Sequence, residues 1–178
     1  ESHSNITSIT GDILSQGEQG RSLRILNSNS NTTSVFGNIT NTANFSYGIS
    51  LNGSNTNTTN VTGNIETQGG TSYAVHLLNS ASNTTSITGN ISTTNNGSDG
   101  IHLNNSDSNT VNMTGNITTK GHGIHIYRGL SNTTTVLGNI STSGYGIDSV
   151  SLAESHSNIT SITGDILSQG EQGRSLRI

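Results

Sequence analysis

The feature that most constrains this chain is a tripeptide, Gly-Asn/Asp-Ile, that recurs at almost constant spacing. Successive glycines of the tripeptide are 26, 26, 26, 26, 23 and 26 residues apart, and they are Gly11, Gly37, Gly63, Gly89, Gly115, Gly138 and Gly164. These seven repeats account for the whole chain. A period of about 20 to 50 residues is typical of solenoids and related arrays, in which each repeat stacks on its neighbours.

The pattern inside each repeat predicts strands. Around Gly89, the positions of Thr85, Ile87 and Ile91 alternate with Ser, Thr and Asn residues, which is the period of a β-strand. A propeller blade needs about 40 residues and four strands, whereas 26 residues hold two or three short strands. Equivalent strands of successive repeats then pair in parallel, with a right-handed winding. We therefore predict an all-β, right-handed parallel β-helix, one continuous β-solenoid over residues 1–178 with seven coils of about 26 residues.

The composition of the chain does not suit a broad hydrophobic core, and it is consistent with a fold that is ordered by its repeats. Ser, Thr, Asn and Gly supply 103 of the 178 residues, and only 27% of residues are hydrophobic. Disorder would need a high net charge as well, but the net charge is −4. Six Lys and Arg residues form no basic stripe for nucleic acid, and no apolar run is long enough to span a membrane. The lack of cysteine excludes disulfides and thiolate metal sites.

Stacking the coils turns each repeat position into a column along the axis, and four columns are apolar. Two of them flank the glycines and contain Ile9, Val35, Val61, Ile87, Met113, Val136 and Ile162, and Ile13, Ile39, Ile65, Ile91, Ile117, Ile140 and Ile166. The other two lie in the second apolar stretch and contain Leu23, Ile49, Val75, Ile101, Ile124 and Ile147, and Ile25, Leu51, Leu77, Leu103 and Ile126. We expect these columns to form a narrow aliphatic core. The spacing of 23 residues between Gly115 and Gly138 means that three residues are absent there. We expect this shortening of the fifth and sixth coils to fall in the turn before the second apolar stretch.

Asparagine occupies one position in every coil, six residues before the glycine: Asn5, Asn31, Asn57, Asn83, Asn109, Asn132 and Asn158. Identical amides stacked in this way can bond to one another along the axis, so we predict an asparagine ladder at a corner. Asn-x-Ser/Thr also matches the acceptor motif for N-glycosylation. If the ladder residues point inward, the candidate glycosylation sites are the outward Asn38, Asn90, Asn116 and Asn139.

Residues 154–178 repeat residues 1–25 without a difference, at an offset of 153 residues. The coils between the two copies have diverged from one another, so the short consensus does not explain the identity. We interpret residues 1–153 as one six-coil repeat unit and residues 154–178 as the start of the next identical unit. The chain is then expected to be a window on a longer tandem array, or a subunit that stacks end to end on itself.

The repeat consensus resembles that of bacterial autotransporter passengers and filamentous haemagglutinin-like surface adhesins. The stretches that carry the resemblance are SITGNISTTNNGSDGIHLNN at 86–105 and NMTGNITTKGHGIHI at 112–126. The resemblance extends over the whole chain and lies in the type of repeat consensus. It implies a secreted, rod-like stalk or fibre at a cell surface.

Parallel β-helices also include enzymes that act on polysaccharides, which would need carboxylates converging on neighbouring coils. The acidic residues here do not converge, so we predict no enzyme activity, no catalytic residue and no cofactor.

One column between the core positions of the second stretch contains Arg24, Ser50, His76, His102, His125 and Asp148. Imidazoles followed by a carboxylate could hold Zn²⁺ or Cu²⁺, although a solvated polar row is the competing interpretation.

Two further rows suggest ligands. The turn column of Arg21, Tyr47, Tyr73, Asp99, His122 and Tyr145 could stack on sugars, and outward Thr rows such as Thr58 and Thr62 could face ice, although Phe36 and Leu137 interrupt them.

The main hypothesis is a structural shaft of an extracellular, cell-surface filament or adhesin. The alternative is a ligand-binding face on the solenoid, for carbohydrate, metal or ice. The expected partner is another copy of the same solenoid, with cell-surface or matrix carbohydrate as a further candidate.

Overall fold

The computed structural model describes residues 4–17 and 19–178, and these residues form a parallel β-solenoid of seven coils. Glu1, Ser2, His3 and Glu18, which belong to the first copy of the duplicated segment, lie outside the described residues. Each coil contributes three short strands, one to each of three seven-stranded parallel sheets. The predicted all-β fold is therefore confirmed. The right-handed winding stays a prediction.

The strands of each sheet follow one another by one coil. The first sheet contains β1 (Ile6–Thr10), β4 (Thr32–Phe36), β7 (Thr58–Thr62), β10 (Thr84–Thr88), β13 (Thr110–Thr114), β16 (Thr133–Leu137) and β19 (Ile159–Thr163). The second contains β2 (Ile13–Ser15), β5 (Ile39–Asn41), β8 (Ile65–Thr67), β11 (Ile91–Thr93), β14 (Ile117–Thr119), β17 (Ile140–Thr142) and β20 (Ile166–Ser168). The third contains β3 (Arg21–Leu26), β6 (Tyr47–Asn52), β9 (Tyr73–Leu78), β12 (Ile101–Asn104), β15 (Ile124–Tyr127), β18 (Val150–Ala153) and β21 (Leu176–Arg177).

The glycine of the repeat tripeptide turns the chain from the first sheet into the second. Gly89 has a φ of 150°, and a Cβ atom built on it would lie 2.1 Å from the carbonyl oxygen of Gly63 one coil below. Any side chain would collide with that backbone, which explains the residue type at this corner. The apolar alternation continues through the glycine, so Ile87 and Ile91 both point into the core although they lie in different sheets.

The core is the narrow aliphatic rod that the columns predict. Strand pairing aligns both columns that flank the glycines, as in Ile87 with Met113 and Ile91 with Ile117. In the third sheet, however, Ile124 pairs with Val150, so the prediction of Ile147 as a core residue of this column is wrong. The stretch around Ile147 is instead part of the turn before β18.

One coil is shorter than the others by three residues. The second sheet aligns Ser92 with Thr118, an offset of 26, whereas the third sheet aligns Ile101 with Ile124, an offset of 23. The missing residues therefore belong to the turn between β14 and β15, as predicted for the fifth coil. The same prediction for the sixth coil is wrong, because Ile124 and Val150 are again 26 residues apart.

The seven asparagines form a continuous hydrogen-bonded ladder. The Nδ2 atom of each residue donates to Oδ1 of the next at 2.9–3.2 Å, and the backbone N–H donates to the same oxygen. The five middle members, Asn31 to Asn132, are buried. A parallel row of serines, including Ser54 and Ser80, accepts backbone N–H groups beside it. Buried amides at this corner thus have partners from the coils on either side.

Replacing a middle ladder residue should cost stability. In Asn83→Ala, the N–H and Nδ2 of Asn57 lose their acceptor, at 2.9 and 3.0 Å, and Ser54 loses the donor to its carbonyl oxygen. We expect the free energy of unfolding to fall by about 1–3 kcal/mol in chemical denaturation. The control is Asn95→Ala in an exposed turn, where the side chain makes one bond, to the Gln68 carbonyl. Equal losses in the two variants would contradict a buried ladder.

Interior threonines offer the opposite test. The hydroxyl of Thr85 is completely buried and, within the described residues, lacks a hydrogen-bond partner. The same column position one coil on is Val111. Thr85→Val should therefore raise the free energy of unfolding by about 1 kcal/mol, because an unsatisfied buried hydroxyl is replaced by a methyl group of similar shape. Thr84→Val on the outer face of the same strand should be nearly neutral in the same measurement, and destabilisation by the Thr85 change would refute the argument.

Candidate functional site on the third sheet

A cluster of rings lies against the outer face of the third sheet, where the sequence predicts the histidine column. Pairing of β9, β12 and β15 aligns His76, His102 and His125. Tyr47 and Tyr73 begin β6 and β9 and pair with each other, and their rings lie over the histidines. The register thus places five rings from four consecutive coils on one surface, which we call the ring cluster.

The rings of the cluster are in direct contact. The Tyr47 and Tyr73 rings are stacked with centroids 5.5 Å apart, and Tyr73 lies 4.5 Å from the His102 ring. His102 in turn lies 4.7 Å from His125. As a result His76 is 6% exposed and His102 is 7% exposed, although both project from the outer face. A solvated polar row therefore does not describe the His76 and His102 positions, whereas Arg24 at the start of the column is exposed.

Asp99 is the anionic centre of the cluster and was missed by the sequence reasoning as a partner of these histidines. It lies in the turn before β12 and is 4% exposed. Its Oδ2 atom is 2.7 Å from Nδ1 of His102 and 3.3 Å from Nδ1 of His125. Burial would raise the pKa of Asp99, but hydrogen bonds from the two rings outweigh it and lower this pKa to about 2.

The residue that follows Asp99 in register one coil on also contacts it. His122 lies two residues before Ile124, as Asp99 lies two residues before Ile101, and the His122 backbone N–H donates to Oδ1 of Asp99 at 2.7 Å. The His122 ring contacts the His125 ring, with centroids 4.5 Å apart. The two oxygens of the Asp99 carboxylate therefore have different partners. Oδ1 accepts a backbone N–H, and Oδ2 faces the imidazoles of His102 and His125.

Asp148 does not join the histidine column, which corrects the prediction. The residue aligned with His125 is Ser151. Asp148 lies instead in the turn beside His122, where its backbone contacts Nδ1 of the His122 ring, and its Oδ1 accepts the N–H of Arg174 at 3.2 Å. The prediction aligned GYGI in the sixth coil with GHGI in the fifth, and this alignment is wrong by three residues. The same shift means that Tyr145 does not belong to the turn column.

Three ligand-type atoms converge in the cluster. One atom each from Asp99, His102 and His125 lies within 4.8 Å of the other two. His76 contacts the His102 ring at 5.4 Å between centroids but is not part of this group. Burial is the largest cause that lowers the pKa of His76 to about 3, and electrostatic interactions with His102 and Arg21 act in the same direction. The arrangement is suited to holding a cation or sharing protons between imidazole and carboxylate.

The candidate glycosylation residues form a second ladder on the surface. Asn38, Asn90, Asn116 and Asn139 are exposed. Their Oδ1 atoms accept the backbone N–H of the next coil at 2.8–2.9 Å, as in Asn116 N–H to Asn90. In Asn38 the Nδ2 atom, which would carry a glycan, also donates to Oδ1 of Asp12 one coil back at 3.2 Å.

The outward threonine rows belong to the first sheet. Phe36 and Leu137 stand in the row of Thr62 and Thr88 and are 53% and 54% exposed. A flat surface of matched hydroxyls is therefore interrupted in two of the seven coils.

Comparison of the chain with protein-family models, curated proteins and solved structures gave no match. The residues described, 4–17 and 19–178, include no helix of the length and apolarity that would cross a membrane.

Acid should destabilise the fold through His76. Its pKa of about 3 in the folded chain is below the ordinary value of 6.5, so the unfolded chain binds a proton more readily between these values. The resulting stability is fully present above about pH 6.5 and is lost as the pH falls towards 3. We expect denaturation midpoints to fall over this range and His76→Gln to reduce the slope. His156→Gln, at an exposed site outside the cluster, is the control; an unchanged slope in His76→Gln would contradict the assignment.

Proposed function

We propose that this chain is a segment of the shaft of an extracellular, cell-surface filament or adhesin, built from tandem six-coil units, with no catalytic role and no cofactor needed for it. The observation that carries the proposal is the position of the duplicated segment in the solenoid. Its first copy supplies β1, β2 and β3, and its second copy supplies β19, β20 and β21. Both copies occupy the same three sheets, six coils apart.

Equivalent residues of the two copies lie in the same columns. Ile9 and Ile162 belong to one apolar column, and Ile13 and Ile166 belong to the other. A unit of 153 residues therefore returns the chain to the same place on the coil. A further unit can continue the sheets, the core and the asparagine ladder without a change of register.

The internal bonding suits a shaft. Every strand pairs with its neighbours one coil away, and contacts of this kind add up along the axis whatever the number of coils. The cross-section stays narrow because the core is one aliphatic rod with polar ladders at its corners. The same features favour length over a deep pocket for a substrate.

The cell-surface setting rests on the likeness of the repeat consensus to autotransporter and haemagglutinin-like adhesins. The partner that we propose is the same solenoid, either as the next covalent unit or stacked end to end. Carbohydrate of a cell surface or matrix is the candidate ligand of such a shaft.

Arrays of increasing length test the shaft. The 178-residue chain would be compared with chains carrying one and two additional copies of residues 1–153, and rod lengths would be measured by electron cryo-microscopy. Each added unit should lengthen the rod by about 29 Å at constant width, from a strand spacing of about 4.8 Å. Antibody labelling of intact source cells, with and without surface proteolysis, tests the location.

Two deletions provide matched controls. Removing residues 63–88 takes out one whole coil and should shorten each unit by about 4.8 Å while the rod remains continuous. Removing residues 63–75 takes out half a coil and should break the rod, because strands of different sheets would then meet. Separate globular beads in the longer arrays, or tolerance of the half-coil deletion, would overturn the shaft. Labelling only after cell lysis would overturn the location alone.

A further inference from the structure

We propose that Asp99, His102 and His125 form a binding site for a divalent transition-metal ion of the Zn²⁺ class, on the outer face of the third sheet. The ligand atoms are Oδ2 of Asp99 and Nδ1 of each histidine. The site is independent of the shaft proposal, because it needs only the fourth and fifth coils and not the duplicated segment.

The distances suit a metal of this size. Oδ2 of Asp99 is 2.7 Å from Nδ1 of His102 and 3.3 Å from Nδ1 of His125. Ligand atoms at about 2.0–2.2 Å from Zn²⁺ lie roughly 3 to 3.5 Å from one another in tetrahedral or octahedral geometry. Binding of the ion requires the Asp99–His102 pair to open by about half an ångström and the ligand atoms of His102 and His125, which lie within 4.8 Å of each other, to converge on the ion. Side-chain rotations provide both movements.

The donor set favours transition metals over calcium or magnesium. Two imidazole nitrogens and one carboxylate oxygen are ligands preferred by zinc, copper, nickel or ferrous ions, whereas calcium and magnesium prefer oxygen alone. Three protein ligands leave at least one coordination position for water or another molecule.

The surroundings hold the ligands in place, as metal sites require. Oδ1 of Asp99 accepts the His122 N–H at 2.7 Å, so Oδ2 faces the imidazoles. The His102 ring is packed between Tyr73 and His125, at 4.5 and 4.7 Å between centroids. The side chain of His125 is 20% exposed, which gives an ion access from solvent.

The His102 ring has an unused nitrogen. Within the described residues its Nε2 atom is buried and has no hydrogen-bond partner. Without the metal, Nδ1 carries the proton that it donates to Asp99. Because nothing fixes the state of Nε2, the proton can move there and expose the Nδ1 lone pair to the metal, with no net gain or loss of protons.

Titration with Zn²⁺ tests the site. The 178-residue chain would be titrated in a calorimeter, and Co²⁺ would serve as a spectroscopic probe of ligand number. We expect one ion per chain. Asp99→Asn and His125→Gln should each weaken binding at least 10-fold, whereas His156→Gln, at an exposed histidine outside the cluster, should change it by less than twofold.

Nitrogen NMR of the histidine rings gives a second readout that does not need a ligand variant to fold. On addition of Zn²⁺, the Nδ1 signals of His102 and His125 should shift, and the signals of His156 should not. His76→Gln separates this site from a simple histidine row, because it should leave the ion bound. Three results would overturn the proposal. They are the absence of stoichiometric binding, binding that survives Asp99→Asn, and loss of binding in His76→Gln together with His102 and His125 signals that do not move on addition of Zn²⁺.

Discussion

The whole structure depends on hydrogen bonds between residues one coil apart. Strands, asparagines and serines all find their partners about 26 positions along the chain, so each coil must reproduce the path of the one before it. This requirement explains how a chain with so few apolar residues keeps an ordered core. A side chain in the aliphatic rod is covered from above and below by its own equivalents, and the buried polar groups at the corners are satisfied by theirs.

The fifth coil shows where this constraint can be relaxed. Its three missing residues fall in a turn, after β14 has paired and before β15 begins, so no strand loses its register. The His122 backbone, which follows this turn, donates to Asp99, and the same carboxylate faces two imidazoles. The departure from regularity therefore coincides with the most distinctive chemistry on the rod.

The repeat made most of the fold predictable, because a residue such as Ile87 has an equivalent in every coil. The register of the sixth coil was misjudged from a local likeness, GYGI against GHGI. The ladder could have corrected it, since Val150 and Ile124 both lie eight residues before their asparagines, Asn158 and Asn132. The burial of His76 and the contacts of Asp99 could not be predicted, because they depend on ring packing and turn conformation outside the strands.

The two asparagine ladders run in opposite directions. In the inner ladder, Asn57 donates to the coil that follows it, whereas in the outer ladder Asn90 accepts from the coil that follows it. A cut between any two coils therefore exposes inner donors and outer acceptors on one face, and the reverse on the other. The two faces complement each other, so the solenoid has a polarity along its axis, and both ladders continue from one coil to the next only when the two coils run in the same direction.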